Sequence, residues 1–444
     1  MGRKKRDTRQ DFFETAEVRP RCLLIGVQGR GQERAEVEEH LDEMAQLAGT
    51  DGMDVVGRVI QARAKPDPAT FLGSGKVDEV TTLAETERAD WLLFDDELTP
   101  GQQRNLEKQT KIKVMDRTGL ILDIFAMRAR TREARTQVEL AQHEYMLPRL
   151  TGLWTHFTRQ KGGTRTRGGE GESQLEIDRR IVKARIAALK RELGRIGKQA
   201  ETRLRGHDGF FRVALVGYTN AGKSSLLNAV TRAGVLAEDK LFATLDATTR
   251  RWSLGTGRDA LLTDTVGFIR KLPHQLVASF RSTLAEAAEA DLLLHVVDLS
   301  HPAWAEHMSE TRTVLEEIGA GDRPEIVILN KVDRPEAQAR LEKAREDEPG
   351  SLAVSAATGM GLKELRAVVE AQVAGPPREA IVDLAAEDRD RLSHIYRRVR
   401  VVKVEDGPDG GLRVTVHGPP GELATLGAPV SEAGVAGYPE GQQG

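Results

Sequence analysis

Residues Gly217, Tyr218, Thr219, Asn220, Ala221, Gly222, Lys223 and Ser224 have the spacing G-x-x-x-x-G-K-S, which suits a bound polyphosphate. Glycines at both ends let backbone N–H groups curl around phosphate oxygens, and the helix N-terminus that follows adds positive potential. Lys223 can reach the β- and γ-phosphates, and the Ser224 hydroxyl is a ligand for Mg2+. The flanks supply the context that the motif needs. Val213–Val216 is a short apolar run of the kind found in buried parallel strands, and an apolar-periodic helix starts at Ser225. The segment is read as the phosphate-binding loop of a nucleoside triphosphate site, in preference to a glycine-rich turn with a chance lysine.

Three further motifs follow in order. Asp264, Thr265, Val266 and Gly267 come after the strand-like Ala260–Thr263. An aspartate there holds a magnesium-bound water, and the Gly267 N–H can meet the γ-phosphate. Ile326–Leu329 reads as a buried strand ending in Asn330, Lys331, Val332 and Asp333. Asp333 can accept two hydrogen bonds from guanine's ring N–H and exocyclic amine, which adenine lacks. Asn330 would read the other edge of the base and the Lys331 stem would cover the ring, so the nucleotide expected is GTP. Leu352–Val354 leads to Ser355, Ala356 and Ala357, placed to offer a backbone N–H to the guanine oxygen. Four motifs at the carboxyl ends of strands describe a P-loop GTPase domain of TRAFAC type with a mostly parallel sheet.

Between the phosphate loop and Asp264 lies Phe242-Ala243-Thr244-Leu245-Asp246-Ala247-Thr248-Thr249-Arg250. One threonine must close over Mg2+ and the γ-phosphate, and spacing alone does not choose among Thr244, Thr248 and Thr249. After Gly267 comes Phe268, where Ras-like enzymes carry a water-orienting glutamine; a phenyl ring cannot position a nucleophile. Intrinsic hydrolysis is expected to be slow and to need a partner that orders the switch. Arg270, Lys271 and His274 could act only after rearrangement.

The elements that carry these residues belong to a chain of 444 residues, long enough for about three domains. No apolar run approaches the ~18 residues needed to span a bilayer and no apolar signal core opens the chain, so the expected compartment is the cytoplasm, with any membrane association peripheral. Cys22 is the only cysteine, which excludes an internal disulfide and a cysteine-based zinc cluster. The net charge of −3 is uneven: Ala126 to Gly206 holds 19 Lys and Arg against 9 Asp and Glu. One basic element on an otherwise acidic protein points to a polyanionic partner.

In chain order, residues 1–20 read as a basic flexible arm. Residues 21–117 alternate strand and helix: Cys22–Val27, Asp54–Ala62, Trp91–Phe94 and Ile112–Met115 as strands, Glu33–Ala48, Lys76–Glu87 and Pro100–Gln109 as helices. That pattern is a small α/β domain with a mostly parallel sheet. Its Gly73–Lys76 segment could hold a phosphate at a helix start, although it lacks P-loop spacing and a plain turn is favoured. Residues 118–208 carry two seams at alternating spacings of four and three. The first runs from Leu120 through Ile124, Met127, Thr131, Ala134, Val138 and Ala141 to Tyr145, the second from Leu175 to Ala200. These predict a helical hairpin, its second arm of about 30 residues roughly 45 Å long. The tip Leu153–Arg167 holds Arg159, Lys161, Arg165 and Arg167 beside Trp154, His156 and Phe157, suited to phosphates and unpaired bases of RNA rather than DNA. The GTPase domain is placed at 209–375, a small α+β domain at 376–426 and a disordered tail at 427–444.

The chain as a whole resembles the HflX family of ribosome-associated GTPases, in the Obg–HflX group. The resemblance rests on GYTNAGKSSLLN, FATLDATTR, DTVGFIRKLP, NKVD and SAATG. Outside the GTPase, FLGSGKVDE and GGTRTRGGEGESQLEIDRR strengthen it. It implies that Thr244 is the switch threonine and joins Ser224 on Mg2+. It implies a cytoplasmic protein acting as a monomer on the large ribosomal subunit and its ribosomal RNA, splitting stalled or idle ribosomes with ribosome-stimulated GTP hydrolysis. The basic tip would then reach toward the peptidyl-transferase centre. A GTP-dependent subunit assembly factor and an ATP-driven RNA remodeller using Gly73–Lys76 are the alternatives. Ala247 stands where the family usually has proline, which loosens the switch loop without removing a ligand. Related cation-dependent GTPases carry an asparagine at the position of Asn220, where its oxygen could join phosphate and switch-loop oxygens around K+; its other role is to steady the turn.

Overall fold

The computed structural model describes residues 19–150, 174–204, 210–231, 241–242, 244–254, 258–271, 286–374, 378–407, 410–418, 423 and 426. The N-terminal half starts from β1 (Arg21–Gln28), whose central residues are buried on both faces, as a continuous apolar run demands of a parallel strand. Strands β2 (Asp54–Ala62), β3 (Trp91–Phe94) and β4 (Lys113–Asp116) complete a parallel sheet in the order β2-β1-β3-β4. The crossovers are α1 (Arg34–Thr50), α2 (Ser74–Thr86) and α3 (Pro100–Thr110). α3 opens with proline at its first position and a capping box between Thr99 and Gln102, so local sequence alone starts that helix.

The first seam of the sequence is not one helix. It divides into α4 (Arg117–Arg128) and α5 (Arg132–Met146). Ala129 is extended, and the Thr131 side chain accepts from the Ala134 N–H to begin a new helix. α4 buries Leu120, Ile121, Leu122, Ile124 and Phe125, so it belongs to the layers of the α/β core, and α5 alone is the first arm. The second arm is α6 (Gln174–Leu204), joined antiparallel to α5 by Arg132–Glu192, Arg185–Glu139 and Lys190–Glu144 pairs. Buried Arg149 anchors the end of α5, donating to Leu98 O at 2.8 Å and to Asp116 Oδ2 at 3.0 Å. The tip with Arg159, Lys161, Arg165 and Arg167, the arm before residue 19 and the tail after Gly427 lie outside the described residues.

The second sheet has the order β10-β9-β8-β5-β7-β6 and is parallel except for β6. Its strands are β5 (Phe211–Val216), β6 (Thr248–Leu254), β7 (Arg258–Asp264), β8 (Leu292–Asp298), β9 (Glu325–Asn330) and β10 (Leu352–Ala353). β5 sits between β7 and β8, and α7 (Lys223–Thr231) leaves its carboxyl end. A third, antiparallel sheet places β13 (Leu412–Gly418) between β11 (Arg378–Leu384) and β12 (Arg400–Asp406).

The first two units share one core. A continuous apolar cluster runs from Leu41, Met44, Leu120 and Phe125 of the N-terminal half to Tyr218, Phe242, Phe268 and Ile269 of the nucleotide domain. Phe125 meets Phe242 edge-on, with centroids 4.6 Å apart. Cys22 is buried and its thiol is pushed up to about 12 by burial first, then by Asp54 and Asp51, so it is an inert core residue.

Candidate nucleotide site

The phosphate loop is shaped by backbone that only some residues tolerate. Gly217 has φ +143°, and a Cβ there would lie 2.2 Å from Val296 O on β8. Gly222 has φ +97°, and its Cβ would meet Asn330 Nδ2 at 2.3 Å. Asn220 takes the left-handed region at φ +59° on the exposed rim, as asparagine can. Lys223 is buried at the start of α7, its Nζ donating to Gly217 O at 2.9 Å and Tyr218 O at 2.8 Å. Burial pushes its ammonium down to about 8, against the pull of Asp264. A polyphosphate at the loop would restore the preference for the charged form.

Three of the predicted magnesium-site residues come together. Ser224 Oγ lies 2.6 Å from Asp264 Oδ2 and 2.7 Å from Thr244 Oγ1, and Thr244 donates to Asp264 Oδ2 at 3.2 Å. Asp264 is buried, and burial first raises its pKa, with Lys223, Ser224 and Thr244 opposing. Its Oδ1 is buried without a hydrogen-bond partner among the described residues. An orphaned carboxylate oxygen beside two hydroxyls is a hard-oxygen donor set that suits Mg2+. Of the competing threonines, Thr248 and Thr249 are on β6, where Thr249 pairs with Thr263. Gly267 packs so closely that a Cβ would sit 2.7 Å from Thr219 Cα and 3.0 Å from Lys223 Nζ. Thr265 donates to Leu215 O, and Val266 is buried.

Several residues expected to face the nucleotide do something else. The Tyr218 ring stacks on His307 at 3.7 Å, and its hydroxyl donates to Glu43 and accepts from the Arg270 N–H, turned toward the N-terminal half. Phe242 is buried against Phe125, while its N–H donates to Thr219 Oγ1. Asp246 accepts from Thr131 Oγ1 and from the N–H groups of Arg130 and Thr131, at the start of α5. Leu245 is buried, Ser225 follows Lys223 in α7, and Ala243 lies outside the described residues. Phe268 is buried, with its N–H and carbonyl bonded to Gly217 O and Thr219 N, so its ring is a packing element.

At the base end, Asn330 holds the surrounding loops and keeps a second amide N–H for the base. Its Nδ2 donates to Ala221 O at 2.8 Å and its Oδ1 accepts from the Ala356 N–H at 3.1 Å, so both ends tie loops together. The Lys331 ammonium pairs with Asp298 at 2.6 Å, and Val332 is buried beneath it. Asp333 is exposed and has no hydrogen-bond partner among the described residues. The Ser355 N–H donates to Met360 O and its Oγ accepts from Thr358, which leaves the Ala357 N–H unbonded among the described residues.

The N-terminal Gly73–Lys76 segment is occupied by its own protein. The Gly73 N–H donates to Gln61 Oε1 at 3.0 Å, and Lys76 pairs with Glu79 at 2.6 Å. This is a turn entering a helix.

Family models cover the chain in succession: GTP-binding GTPase N-terminal over residues 38–126, GTP-binding GTPase middle region over 128–206, 50S ribosome-binding GTPase over 212–331 and HflX C-terminal domain over 339–426. GTPase HflX of Magnetococcus marinus is 44% identical over 402 residues, 90% of this chain and 92% of that protein. The chain belongs to the HflX family of GTPases. GTPase HflX of Escherichia coli is 41% identical over 387 residues, covering 86% of this chain and 90% of the relative. Among solved structures, the GDP complex of SsGBP is 25% identical, spans 79% of this chain and 97% of its own, and has a TM-score of 0.44.

This HflX chain also has a buried charge cluster that its motifs do not announce. Arg117 Nη1 donates to Asp95 at 2.7 Å, Nη2 to Glu43, and Nε to Arg270 O at 3.1 Å. Lys271 completes it, with Asp95 at 2.9 Å and Asp96 at 2.6 Å. Lys271 and the Arg270 carbonyl thus meet the N-terminal half, the Arg270 guanidinium lies beside Glu306 and Glu310, and His274 lies outside the described residues. The one signal for this cluster was Asp95-Asp96 at the carboxyl end of β3, where open parallel sheets place functional groups.

Proposed function

We propose that this HflX-family GTPase binds the large ribosomal subunit and uses its nucleotide state to split stalled or idle ribosomes. The observation that carries the proposal is Asp246: the loop that supplies Thr244 also bonds Thr131, the residue that caps α5, the first arm of the hairpin. A change at the γ-phosphate is thereby linked to the element whose basic tip would meet ribosomal RNA. In the reaction, Lys223 would hold the β- and γ-phosphates, Ser224 and Thr244 would hold Mg2+ with Asp264 supporting it through a water, and the Gly267 N–H would meet the γ-phosphate. When bound, Mg2+ neutralises charge that develops on the phosphate oxygens. Guanine is held by Asp333, the second amide N–H of Asn330, the Lys331 stem and the Ala357 N–H. No described side chain near Gly267 orients water, which fits stimulation by the ribosome. Incubating 70S ribosomes with the protein and a non-hydrolysable GTP analogue should yield free subunits in a sucrose gradient, and GDP should not. Binding without dissociation would favour the assembly-factor reading.

The tip should matter for the ribosome and not for the nucleotide. Replacing Arg159, Lys161, Arg165 and Arg167 by Ala should weaken ribosome co-sedimentation and flatten its dependence on salt, because fewer counterions are released. Turnover in the free protein should stay unchanged. Equal ribosome affinity at all salt concentrations would leave the tip a solvated turn.

Asn220 is assigned to a potassium ion that would neutralise charge between the β- and γ-phosphates. Turnover should be faster in KCl than in NaCl or choline chloride at equal ionic strength, and Asn220→Ala should lose that preference. Equal rates in all three salts would remove potassium from the site.

A further inference from the structure

Glu39, His301 and His307 converge from two parts of the chain, with one ligand atom from each within 4.8 Å of the other two. Glu39 is on α1, His301 follows β8, and His307 lies in the first turn of the helix Trp304–Glu317. Their bonding is incomplete. Glu39 Oε1 is buried without a hydrogen-bond partner among the described residues, and His301 Nδ1 stands 3.9 Å from it, too far for a hydrogen bond. His301 Nδ1 accepts only a long 3.2 Å bond from the Ala303 N–H, which an ion at this nitrogen would displace. The His307 ring is buried and lies 4.5 Å from the His301 ring, tilted by 34°.

We infer that Glu39, His301 and His307 form a site for a borderline transition-metal dication, zinc being the best match, at the seam between the N-terminal half and the nucleotide domain. Two imidazoles and a carboxylate are a zinc donor set, whereas Mg2+ prefers oxygen alone. The ion is thus chemically distinct from the one at Ser224 and Asp264. Tetrahedral zinc with bonds of ~2.0–2.1 Å sets its ligand atoms roughly 3.3 Å apart, so donors separated by as much as 4.8 Å must draw in by up to about 1.5 Å. Glu39 and His301 can move, being 31% and 37% exposed, and the same exposure gives an entry path and room for a water as fourth ligand. The positive charge of Arg270 opposes a dication here, and Glu306 and Glu310, each 3.7 Å from its guanidinium, offset that charge.

The ion would tie two elements that matter for nucleotide binding. His307 stacks face to face on Tyr218 of the phosphate loop, and Tyr218 bonds Glu43, one turn along α1 from Glu39. The competing account is packing alone: His307 supports Tyr218, and Glu39 is a rim carboxylate.

The test uses the full-length protein, stripped of metal and loaded with GDP and excess Mg2+, titrated with Co2+. One equivalent should give the strong visible absorption of four-coordinate Co2+, and Zn2+ should abolish it. His301→Ala leaves the Tyr218–His307 stack in place and should lose the absorption and weaken Zn2+ binding at least about tenfold, as should Glu39→Gln. Ser224→Ala should keep the absorption, which separates this ion from that of the nucleotide site. Circular dichroism checks that each variant is folded, and GDP affinity adds a second check for His301→Ala and Glu39→Gln. No Co2+ absorption in the wild type, or an absorption unchanged in both His301→Ala and Glu39→Gln, overturns the site.

Discussion

Asp333→Asn is expected to weaken GTP binding by about 3–5 kcal/mol, roughly 10²- to 10⁴-fold, and to leave xanthosine triphosphate as the preferred nucleotide. Guanine offers two donors to this position, its ring N–H and its exocyclic amine. A carboxylate accepts from both, whereas an amide presents one acceptor and sets its own N–H2 against a donor. Xanthine has a carbonyl where guanine has the amine, so the amide's two ends match it. The change should act on the base and not on the fold. Asp333 is exposed, while the supporting bonds from Lys331 to Asp298 and from Asn330 to Ala221 and Ala356 do not involve it. Titration of a fluorescent GTP analogue with GTP and xanthosine triphosphate as competitors measures both affinities. Unchanged GTP affinity in the variant would move the guanine site elsewhere.

The parts of this molecule that were legible beforehand are those written in short-range pattern. β1, β2 and β3 announce themselves as apolar runs between helices with the 3.6 period, and their parallel pairing follows from the alternation. The phosphate loop is legible because glycine at φ +143° and +97° has few substitutes. What the pattern hid depends on contacts across many residues. The seam from Leu120 to Tyr145 keeps its spacing through Thr131, so periodicity alone does not show that the backbone stops and restarts there. Tyr218 and Asp246 sit inside nucleotide-binding motifs, yet their side chains serve α1 and α5, and only the packing of two units against each other decides that. Asn330 is a milder case, a motif residue that also ties two loops together through its amide while one N–H remains for a base.

Arg117→Ala is the second large effect expected, a loss of about 3–5 kcal/mol of stability. In sequence Arg117 looks like an ordinary residue at a helix start, but its guanidinium is buried, with carboxylates from Glu43 and Asp95 and the Arg270 carbonyl on three of its nitrogens. Removing it leaves two carboxylates short of a counter-charge in a low dielectric. Asp95 keeps its pair with Lys271, whereas Glu43 keeps the Tyr218 hydroxyl and the more distant charge of Arg270, so Glu43 bears more of the loss. The damage falls on the seam between the N-terminal half and the segment after Gly267, not within either sheet. Two consequences separate this from a generic core defect. Adding Glu43→Gln to Arg117→Ala should recover part of the lost stability, since it removes the uncompensated charge, and Arg117→Lys should be intermediate because an ammonium cannot bond all three partners in one plane. On the proposed reading, Arg117→Ala should also shrink the difference in ribosome affinity between GTP- and GDP-bound protein, since Arg270 is no longer held to the N-terminal half. Chemical denaturation of the four proteins gives the energies, and co-sedimentation gives the nucleotide dependence. A variant within about 1 kcal/mol of wild type, with that dependence intact, would mean that Arg117 fills space at the seam and does not couple its two sides.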